Sequence, residues 1–208
     1  MLRLDGGLVR ATVTAVALAL LTPFAGLALA GRVEDADAAY ARGDYATALA
    51  FYRPLAESGA YSAQFVLAGM YETGRGVPQS DVEAARWYRR SAEQGFGFAQ
   101  FNLAMMYSKG KGVVRDDAES AKWMRLAGEQ GHVYAQTVPG GLYASGTGVP
   151  QDYVEAYKWY NLAASRSTTD ANKQNQDNAT QMRDLVAARM TPEQIAEAQR
   201  LSRDWKPH

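Results

Sequence analysis

Residues that could carry acid–base, nucleophilic or metal chemistry are scarce in this chain, and none is grouped as an active site. The 208 residues include no cysteine and two histidines, His132 and His208. There is no His-Glu-x-x-His metal motif and no Gly-x-Ser-x-Gly nucleophile turn, and we expect no Ser-x-x-Lys motif of the acyl-transfer enzymes. The lack of cysteine excludes a disulfide framework and thiolate metal sites. We therefore assign His132 a loop-capping role, and we expect no metal and no cofactor.

Three Gly-x-Gly turns have the spacing that begins a dinucleotide-binding loop. They lie at 74–76, 110–112 and 146–148. Each follows a predicted helix rather than a strand, and the third glycine position holds Gln79, Arg115 or Gln151. A phosphate-binding loop needs that glycine and a preceding strand, so these turns are interpreted as helix ends.

Three further sets of residues could be functional but have structural explanations. Asp116, Asp117 and Asp152 could hold calcium, yet each stands where a predicted helix needs an N-cap. Lys109, Lys111 and Arg115 could bind an anion; we interpret them as a solvated loop, with an acidic partner left open. A tryptophan row could stack on carbohydrate, but it falls on the inward face of predicted helices; it consists of Trp87, Trp123 and Trp159.

The spacing of these residues shows how the chain is organised. One thirty-six-residue unit is written three times without gaps, at 60–95, 96–131 and 132–167. A period of this length predicts a stack of helical repeats. The positions that recur in phase are Ala-Gln at 63–64, 99–100 and 135–136; Tyr71, Tyr107 and Tyr143; Glu83, Glu119 and Glu155; and the tryptophan row.

The recurring pattern resembles the Sel-one-like repeat family, a relative of the tetratricopeptide repeat. The resemblance is carried by the Ala-Gln pair, the tyrosine, the Gly-x-Gly-Val turn, the glutamate and the tryptophan of each unit. It implies an all-α fold, a right-handed superhelical solenoid of antiparallel helix pairs. It also implies a non-enzymatic adaptor or scaffold for other proteins. The segment 188–205 resembles the C-terminal capping helix of bacterial members of the family, which together with the leader sequence at residues 1–30 indicates an exported bacterial member.

Each unit predicts a helix, a glycine turn and a second helix. In the first unit the first helix should run from about Tyr61 to Thr73, with Ala63, Leu67, Ala68 and Tyr71 directed inward. Small residues at Ala68, Ala104 and Gly140 allow the partner helix to approach closely. The second helices begin with capping-box patterns, which are Ser80…Glu83, Asp116…Glu119 and Asp152…Glu155.

Pro139 is a departure in the third unit, where the first two units have Leu67 and Leu103. Proline in a helix interior removes a hydrogen bond and clashes with the preceding turn, at a cost of about 3 kcal/mol. We therefore expect the first helix of the third unit to be kinked, shortened or started late.

The flanking segments differ from the repeats. Residues 1–30 resemble a signal peptide, because Arg3 and Arg10 precede an apolar run and Ala28-Leu29-Ala30 forms a cleavage site before Gly31. The run is shorter than the ~20 residues of a spanning helix, which disfavours an uncleaved anchor. We expect a periplasmic or secreted mature protein, not stably inserted in a membrane.

After cleavage, residues 31–59 predict a capping helix pair whose second helix is capped by Asp44. Residues 168–208 predict a polar linker to about residue 181, then capping helices at 182–190 and from Thr191 to the end.

The resemblance implies that the first helix of each pair lines the concave side, so residues of these helices that the core does not use mark a candidate binding face there. These are Phe65, Glu72, Phe98, Phe101, Met105, Lys109 and Tyr134. The set has more apolar surface than a solvated face requires, and exposed apolar patches mark partner sites. The chain has 22 basic and 22 acidic residues, so no basic face indicates nucleic acid.

We therefore predict a scaffold that binds a protein or peptide. The alternatives are a cell-wall or polysaccharide-binding module and a β-lactamase-like hydrolase, although relatives associated with β-lactams are cysteine-rich and this chain is not.

Overall fold

The computed structural model describes residues 34–130, 133–165 and 173–207, with the backbone alone at 133–135. All regular structure in these ranges is helical. The helices are α1 (34–41), α2 (Tyr45–Glu57), α3 (Tyr61–Thr73), α4 (Asp81–Glu93), α5 (Gly97–Lys109), α6 (Asp117–Glu129), α7 (Val133–Ser145), α8 (Tyr153–Ser165), α9 (Lys173–Ala187) and α10 (Pro192–Asp204). The predicted all-α repeat solenoid is confirmed.

Several sequence predictions fall outside the described residues. These are the signal peptide at 1–30 and its cleavage site, His132, His208, and the part of the polar linker at 166–172.

The chain divides into two compact units, 1–52 and 53–208. In the first unit, α1 and the beginning of α2 bury Ala36, Ala39 and Ala48. The Tyr40 ring lies with its centroid 5.2 Å from that of Tyr45. The Asp44 carboxylate accepts a hydrogen bond from the Thr47 amide at 3.1 Å, so the predicted cap of α2 is confirmed.

The helices of each repeat in the second unit pack as antiparallel pairs. At one end of the first pair the Ser91 hydroxyl of α4 donates to the Tyr61 carbonyl of α3 at 2.8 Å. At the other end the Ser80 amide donates to the Tyr71 carbonyl at 2.9 Å. The predicted bounds of α3 are confirmed, and its last turn ends at Gly74 with the left-handed φ of 71° that glycine tolerates.

The N-caps are present, but the predicted capping boxes are half formed. Ser80 accepts from the Glu83 amide at 3.3 Å, and Asp116 and Asp152 accept two amides each. The reciprocal bond does not form, because each cap's own amide donates to a carbonyl of the recurring tyrosine row. A complete box occurs at Thr191 and Gln194, where α10 begins.

The second helices provide the core that the tryptophan row predicts. Trp87, Trp123 and Trp159 are 6%, 8% and 1% exposed, which places all three inside the stack and not on a carbohydrate-facing surface. The prediction that Tyr71 is directed inward is wrong. Its side chain is half-buried, and its hydroxyl accepts a hydrogen bond from Arg53 at 3.5 Å.

The recurring glutamine joins each repeat to the one before it. Gln64 donates to the Ala56 carbonyl at 3.1 Å, and Gln100 donates to the Ala92 carbonyl at 3.2 Å. Gln136 reaches the Gly128 carbonyl at 3.4 Å. The C-terminal carbonyls of a helix have no partner within it, so the glutamine amide satisfies one of them at each junction.

The prediction that the first helix of the third unit is shortened or starts late is wrong. α7 spans Val133–Ser145, and its 13 residues equal those of α3 and α5, in the same phase of the repeat. Pro139 lies inside this helix and its ring is fully buried. A cavity of about 150 Å³ adjoins it, lined also by Leu142, Tyr143 and Val149. Packing against the neighbouring helices keeps the helix intact despite the missing N–H.

Replacing Pro139 by leucine is therefore expected to raise the free energy of unfolding by about 1–2 kcal/mol. The change restores an amide donor worth part of the ~3 kcal/mol that proline costs in a helix, and the adjoining cavity accepts the larger side chain. Urea unfolding measures the effect. Pro139→Ala is the matched control, since it restores the donor without filling space. Unchanged or lower stability in both variants would show that the third repeat is adapted to its proline.

The C-terminal segment corrects the predicted linker. α9 begins at Lys173, so residues 173–181 are helical and not linker. Gln176 donates to the Ala164 carbonyl at 2.8 Å, the bond that Gln64 and Gln100 make in the repeats. α9 therefore takes the place of a further first helix. The predicted α10 is confirmed, with Ala198 buried and Ile195 partly buried against α8.

Candidate functional site

The first helices α3, α5 and α7 carry the predicted binding residues, and they are almost free of charge. α3 has Glu72 as its one charged residue, α5 has Lys109, and α7 has none. The second helix α4, by contrast, carries a charged side chain at six of its 13 positions. A surface of this kind favours an apolar segment of a protein partner over a polyanion.

Two of the predicted residues, Phe65 and Phe98, belong to an aromatic cluster that also contains Tyr61 and Phe96. The Phe65 centroid lies 5.2 Å from Phe96 and 6.3 Å from Phe98. Tyr61 lies 5.2 Å from Phe96. Phe98 is 54% exposed and Tyr61 is 50% exposed. The cluster therefore presents two large rings to solvent on a half-buried aromatic base.

The sequence analysis missed Tyr61 and Phe96. Both lie where the first helix of a repeat begins, at positions that the repeat does not keep aromatic; the second repeat has Gly97 where the first has Tyr61. Their location could have indicated the cluster, because both residues lie at the start of a first helix and the starts of α3 and α5 are neighbours in the stack.

A second group lines a small hollow at the other end of the same helices. Glu72, Met105 and Lys109 were predicted, and the hollow of about 90 Å³ also includes Asn102, Met106 and Lys111. Phe101 is half-buried on α5, one turn from Phe98 and one turn from Met105. The backbone of Tyr134 lies in α7, and its side chain is outside the described part of the chain.

Glu72 takes part in an ion-pair bridge between repeats. Its carboxylate accepts from the Tyr88 hydroxyl at 2.8 Å and from the Lys111 ammonium at 3.3 Å. Lys111 also lies 3.2 Å from the Asp81 carboxylate. Burial lowers the pKa of Lys111, but its hydrogen bonds to Asp81 and Glu72 outweigh this and raise the pKa above its usual value.

The three basic residues considered as an anion site are not equivalent. Lys111 is held by two carboxylates, and Arg115 pairs with Asp117 at 3.0 Å. The hydrogen bonds that the Arg115 guanidinium donates to the Asp117 carboxylate raise the pKa of Arg115. Lys109 is exposed at the end of α5. Lys111 and Arg115 are therefore neutralised by neighbouring carboxylates, two of which belong to the preceding repeat.

Ser108 and Lys111 have the Ser-x-x-Lys spacing of some acyl-transfer enzymes, so the expectation that the chain lacks this motif is wrong. A lysine that activates a serine must be deprotonated, whereas the Asp81 and Glu72 contacts hold Lys111 charged. The Ser108 hydroxyl donates to the Met105 carbonyl at 3.0 Å. This arrangement does not prepare a nucleophile.

Within the described ranges no three histidine, cysteine, aspartate or glutamate side chains are grouped to hold a metal ion. Over the same part of the chain, every helix is too short or too polar to cross a bilayer.

Comparison with known proteins agrees with the repeat architecture. The family model described as Sel1 repeat matches residues 62–96, 97–132 and 140–167, the third match beginning directly after Pro139. A Sel1 repeat protein from Oxalobacter formigenes is similar at 30% identity and a TM-score of 0.61, over 81% of this chain and 73% of that one. No curated protein matches the chain.

A second solved structure is a protective antigen present in uropathogenic Escherichia coli strains, displaying an SLR fold. It is also 30% identical, with a TM-score of 0.54, over 76% of this chain and 40% of that one.

Proposed function

Because the chain belongs to the Sel1 repeat family, whose repeats generally mediate protein–protein interaction, we propose that it is an exported scaffold that binds a partner protein or peptide. The proposed site is the face formed by α3, α5 and α7. Its apolar part is the aromatic cluster, continued by Phe101 and Met105. Glu72 and Lys109 supply the charge at the far end, and the repeat period assigns Tyr134 of α7 to the same face.

The observation that carries this proposal is the exposure of the aromatic cluster on a nearly uncharged surface. Phe98 and Tyr61 expose about half of their side-chain area, at 54% and 50%. Their rings rest on Phe65 and Phe96 and are not free to rotate into solvent without losing those contacts. Preorganised aromatic side chains are typical anchors of protein interfaces, because ordering them on binding costs little entropy.

A non-enzymatic role is supported by the family and by the contacts that occupy carboxylates near the candidate face. The Sel1 repeat fold is typically a non-catalytic scaffold. Two carboxylates near the candidate face are already occupied, Asp116 as a helix cap and Glu72 in an ion pair. No observation favours the polysaccharide-binding alternative, because the tryptophan row that suggested it is buried.

Site-specific photocrosslinking tests the proposed site. A benzophenone amino acid at Phe98, in the native host, is expected to capture one dominant partner that mass spectrometry identifies. The matched control is the same amino acid at Val114, which is 86% exposed but lies in a turn outside the face. Capture of the same protein at both positions, or none at Phe98 in a folded protein, would refute the site; capture of a second copy would indicate self-association.

Export has its own test. The charged start, apolar run and Ala28-Leu29-Ala30 sequence support cleavage after Ala30. The intact mass of protein recovered from the native host is expected to correspond to a chain that begins at Gly31, in the periplasmic or secreted fraction. A mass that includes Met1, in protein recovered with membranes, would support an anchor instead.

A further inference from the structure

The last helix, α10, packs against α8, the second helix of the third repeat, and so shows that a second helix can bind another helix. α10 lies in a groove along α8, where Gln199 donates to the Tyr157 hydroxyl at 3.3 Å. The Ser202 hydroxyl reaches the Lys158 carbonyl at 3.5 Å. Ala198 is buried, and Ile195 is partly buried, in the same cluster as Tyr157. The contact face of α10 is thus a stripe of small and aliphatic residues at helical spacing.

The same groove recurs in the first repeat, where no segment of the described chain fills it. Its lining on α4 includes Val82, Ala85, Arg86 and Arg89. The repeat period places these residues at the positions of Val154, Tyr157, Lys158 and Asn161 on α8. The open volume of the groove in the first repeat is about 320 Å³. The corresponding space in the second repeat, the cavity beside Pro139, is about 150 Å³.

The boundary of the groove is equivalent in both places. In the first repeat it is closed at one end by Gly112 and Val113, in the turn that rests on the beginning of α4. On α8 the turn after α9 has this role, since the Arg189 guanidinium lies 5.9 Å from the centre of the Tyr153 ring at the beginning of α8. The two grooves therefore share a floor from a second helix and an end wall from the next turn.

The chemistry of the open groove differs from that of the filled one. Its apolar part consists of Ala85, which is 3% exposed and forms the floor, and Val82, which is 64% exposed and lies at the surface. Arg86, Arg89 and Arg90 line its rim, with Glu93 as the one acidic lining residue. Arg90 is held 4.5 Å from the Trp87 ring centre, and Arg86 lies 3.5 Å from Glu83. The rim is basic, which selects against a basic helix and for an acidic one.

We propose that this groove docks an amphipathic, acidic helix of a partner protein. The helix places small apolar side chains against Ala85 and Val82, as Ala198 and Ile195 of α10 do on α8. Its acidic side chains meet the three arginines of the rim. The surface is carried by the second helix of the first repeat, so it is a second interaction site, separate from the aromatic face of the first helices.

A peptide based on the sequence of α10 provides the probe. It comprises residues 190–207 with Arg200→Glu and Arg203→Glu, and carries a fluorescein label. Arg200 pairs with Glu197 and Asp204 in the folded chain, so its replacement leaves those carboxylates free to meet the groove. Fluorescence anisotropy against the full chain is expected to show saturable binding, weakened by added salt because opposite charges attract it. The peptide with the natural arginines should bind about tenfold more weakly or worse.

Two valine variants locate the site. Val82→Glu places a carboxylate in the groove against an acidic helix, and should weaken binding about tenfold or more. Val114→Glu makes the same change at a more exposed valine outside the lining, and should leave binding unchanged. Both positions are surface positions, so folding, checked by circular dichroism, should be retained.

The other outcomes would overturn the proposal. Absence of saturable binding up to about 1 mM peptide, the range of very weak association, would show that the groove does not take an acidic helix. Binding insensitive to Val82→Glu but lost in Phe98→Ser would place the helix on the aromatic face, supporting the proposed function instead. Binding insensitive to both would indicate exchange with α10 on α8.

Discussion

Replacement of Gly112 by alanine is expected to destabilise the protein by roughly 3 kcal/mol or more, from strain and overpacking together. Gly112 is the second glycine of the turn in the second repeat and has a φ of +69°. A Cβ at this position would lie 2.1 Å from the Asp81 carbonyl oxygen and 2.3 Å from its carbon. Backbone atoms of a helix cannot yield as a flexible side chain does, so the turn would have to leave α4.

The position matters because the turn joins two repeats. Gly148 repeats the arrangement one unit later, where a Cβ would lie 2.0 Å from the Asp117 carbonyl oxygen. In each case the turn of one repeat rests on the first residues of the second helix of the repeat before it. Moving the turn away from α4 would also separate Lys111 from Asp81 and Glu72. In a repeat protein, stability depends on such nearest-neighbour interfaces.

Gly95→Ala separates conformational strain from packing. Gly95 also has a left-handed φ, of +88°, but no atom lies within 4 Å of the position of an added Cβ. Its replacement should lower the free energy of unfolding by about 1 kcal/mol. The strain of alanine in the left-handed conformation destabilises the fold, and the reduced entropy of the unfolded chain offsets part of that strain. Urea unfolding of both variants, followed by tryptophan fluorescence, measures the difference. Equal losses in the two proteins would show that the turn does not press on α4.

The repeat elements were predictable because several independent signals agree in each unit. The glycine turn ends α3, Ser80 begins α4, and the apolar residues within α3 recur at helical spacing, so the bounds Tyr61–Thr73 were predicted correctly. Gly140 was also explained correctly. A Cβ there would lie 2.8 Å from the Tyr160 ring, so the helices approach too closely for alanine.

The errors arose where tertiary contacts outweigh local preference. Pro139 disfavours a helix locally, but its ring is fully buried and α7 keeps its full length. Residues 173–181 have the polar composition of a linker, yet Gln176 and Ala179 contact α8 and the segment is helical. The capping boxes failed because the cap amides were already bonded to the tyrosine carbonyls across the turn.

The candidate site was predictable only as a set of positions. The period assigns Phe65, Phe98 and Met105 to one face, but it does not give their mutual distances. The structure divides the set into an aromatic cluster and a hollow around Glu72. Ion pairing of Glu72 with Lys111 was not foreseeable, since the two residues lie 39 positions apart in different repeats. Whether the face binds a partner stays a prediction until the crosslinking is done.

Replacement of Trp159 by alanine is expected to lower the free energy of unfolding by about 3–5 kcal/mol, the range for a large aromatic side chain removed from a core. Trp159 is 1% exposed, the most deeply buried of the tryptophan row. It lies on α8, which packs against α7, α9 and α10. The loss is a large fraction of the 5–15 kcal/mol that stabilises a typical domain, so the third repeat and the C-terminal helices should open together.

Trp159→Phe distinguishes lost volume from lost hydrogen bonding. The Trp159 indole nitrogen is buried and has no hydrogen-bond partner within the described residues. Phenylalanine removes that polar group and keeps most of the ring volume. We therefore expect Trp159→Phe to cost about 1–2 kcal/mol, well below the alanine variant, since the smaller cavity is partly offset by the loss of an unsatisfied donor.

The measurement must not depend on the residue that is removed. Urea unfolding followed by far-ultraviolet circular dichroism reports helix content in all three proteins. Hydrogen exchange then shows which helices open, because an isolated repeat can unfold before the rest of a stack. Faster exchange confined to α7–α10 in Trp159→Ala would place the tryptophan in a junction between the third repeat and the C-terminal helices. A loss below about 1 kcal/mol, the scale of ordinary substitutions, would show that this tryptophan does not form the core.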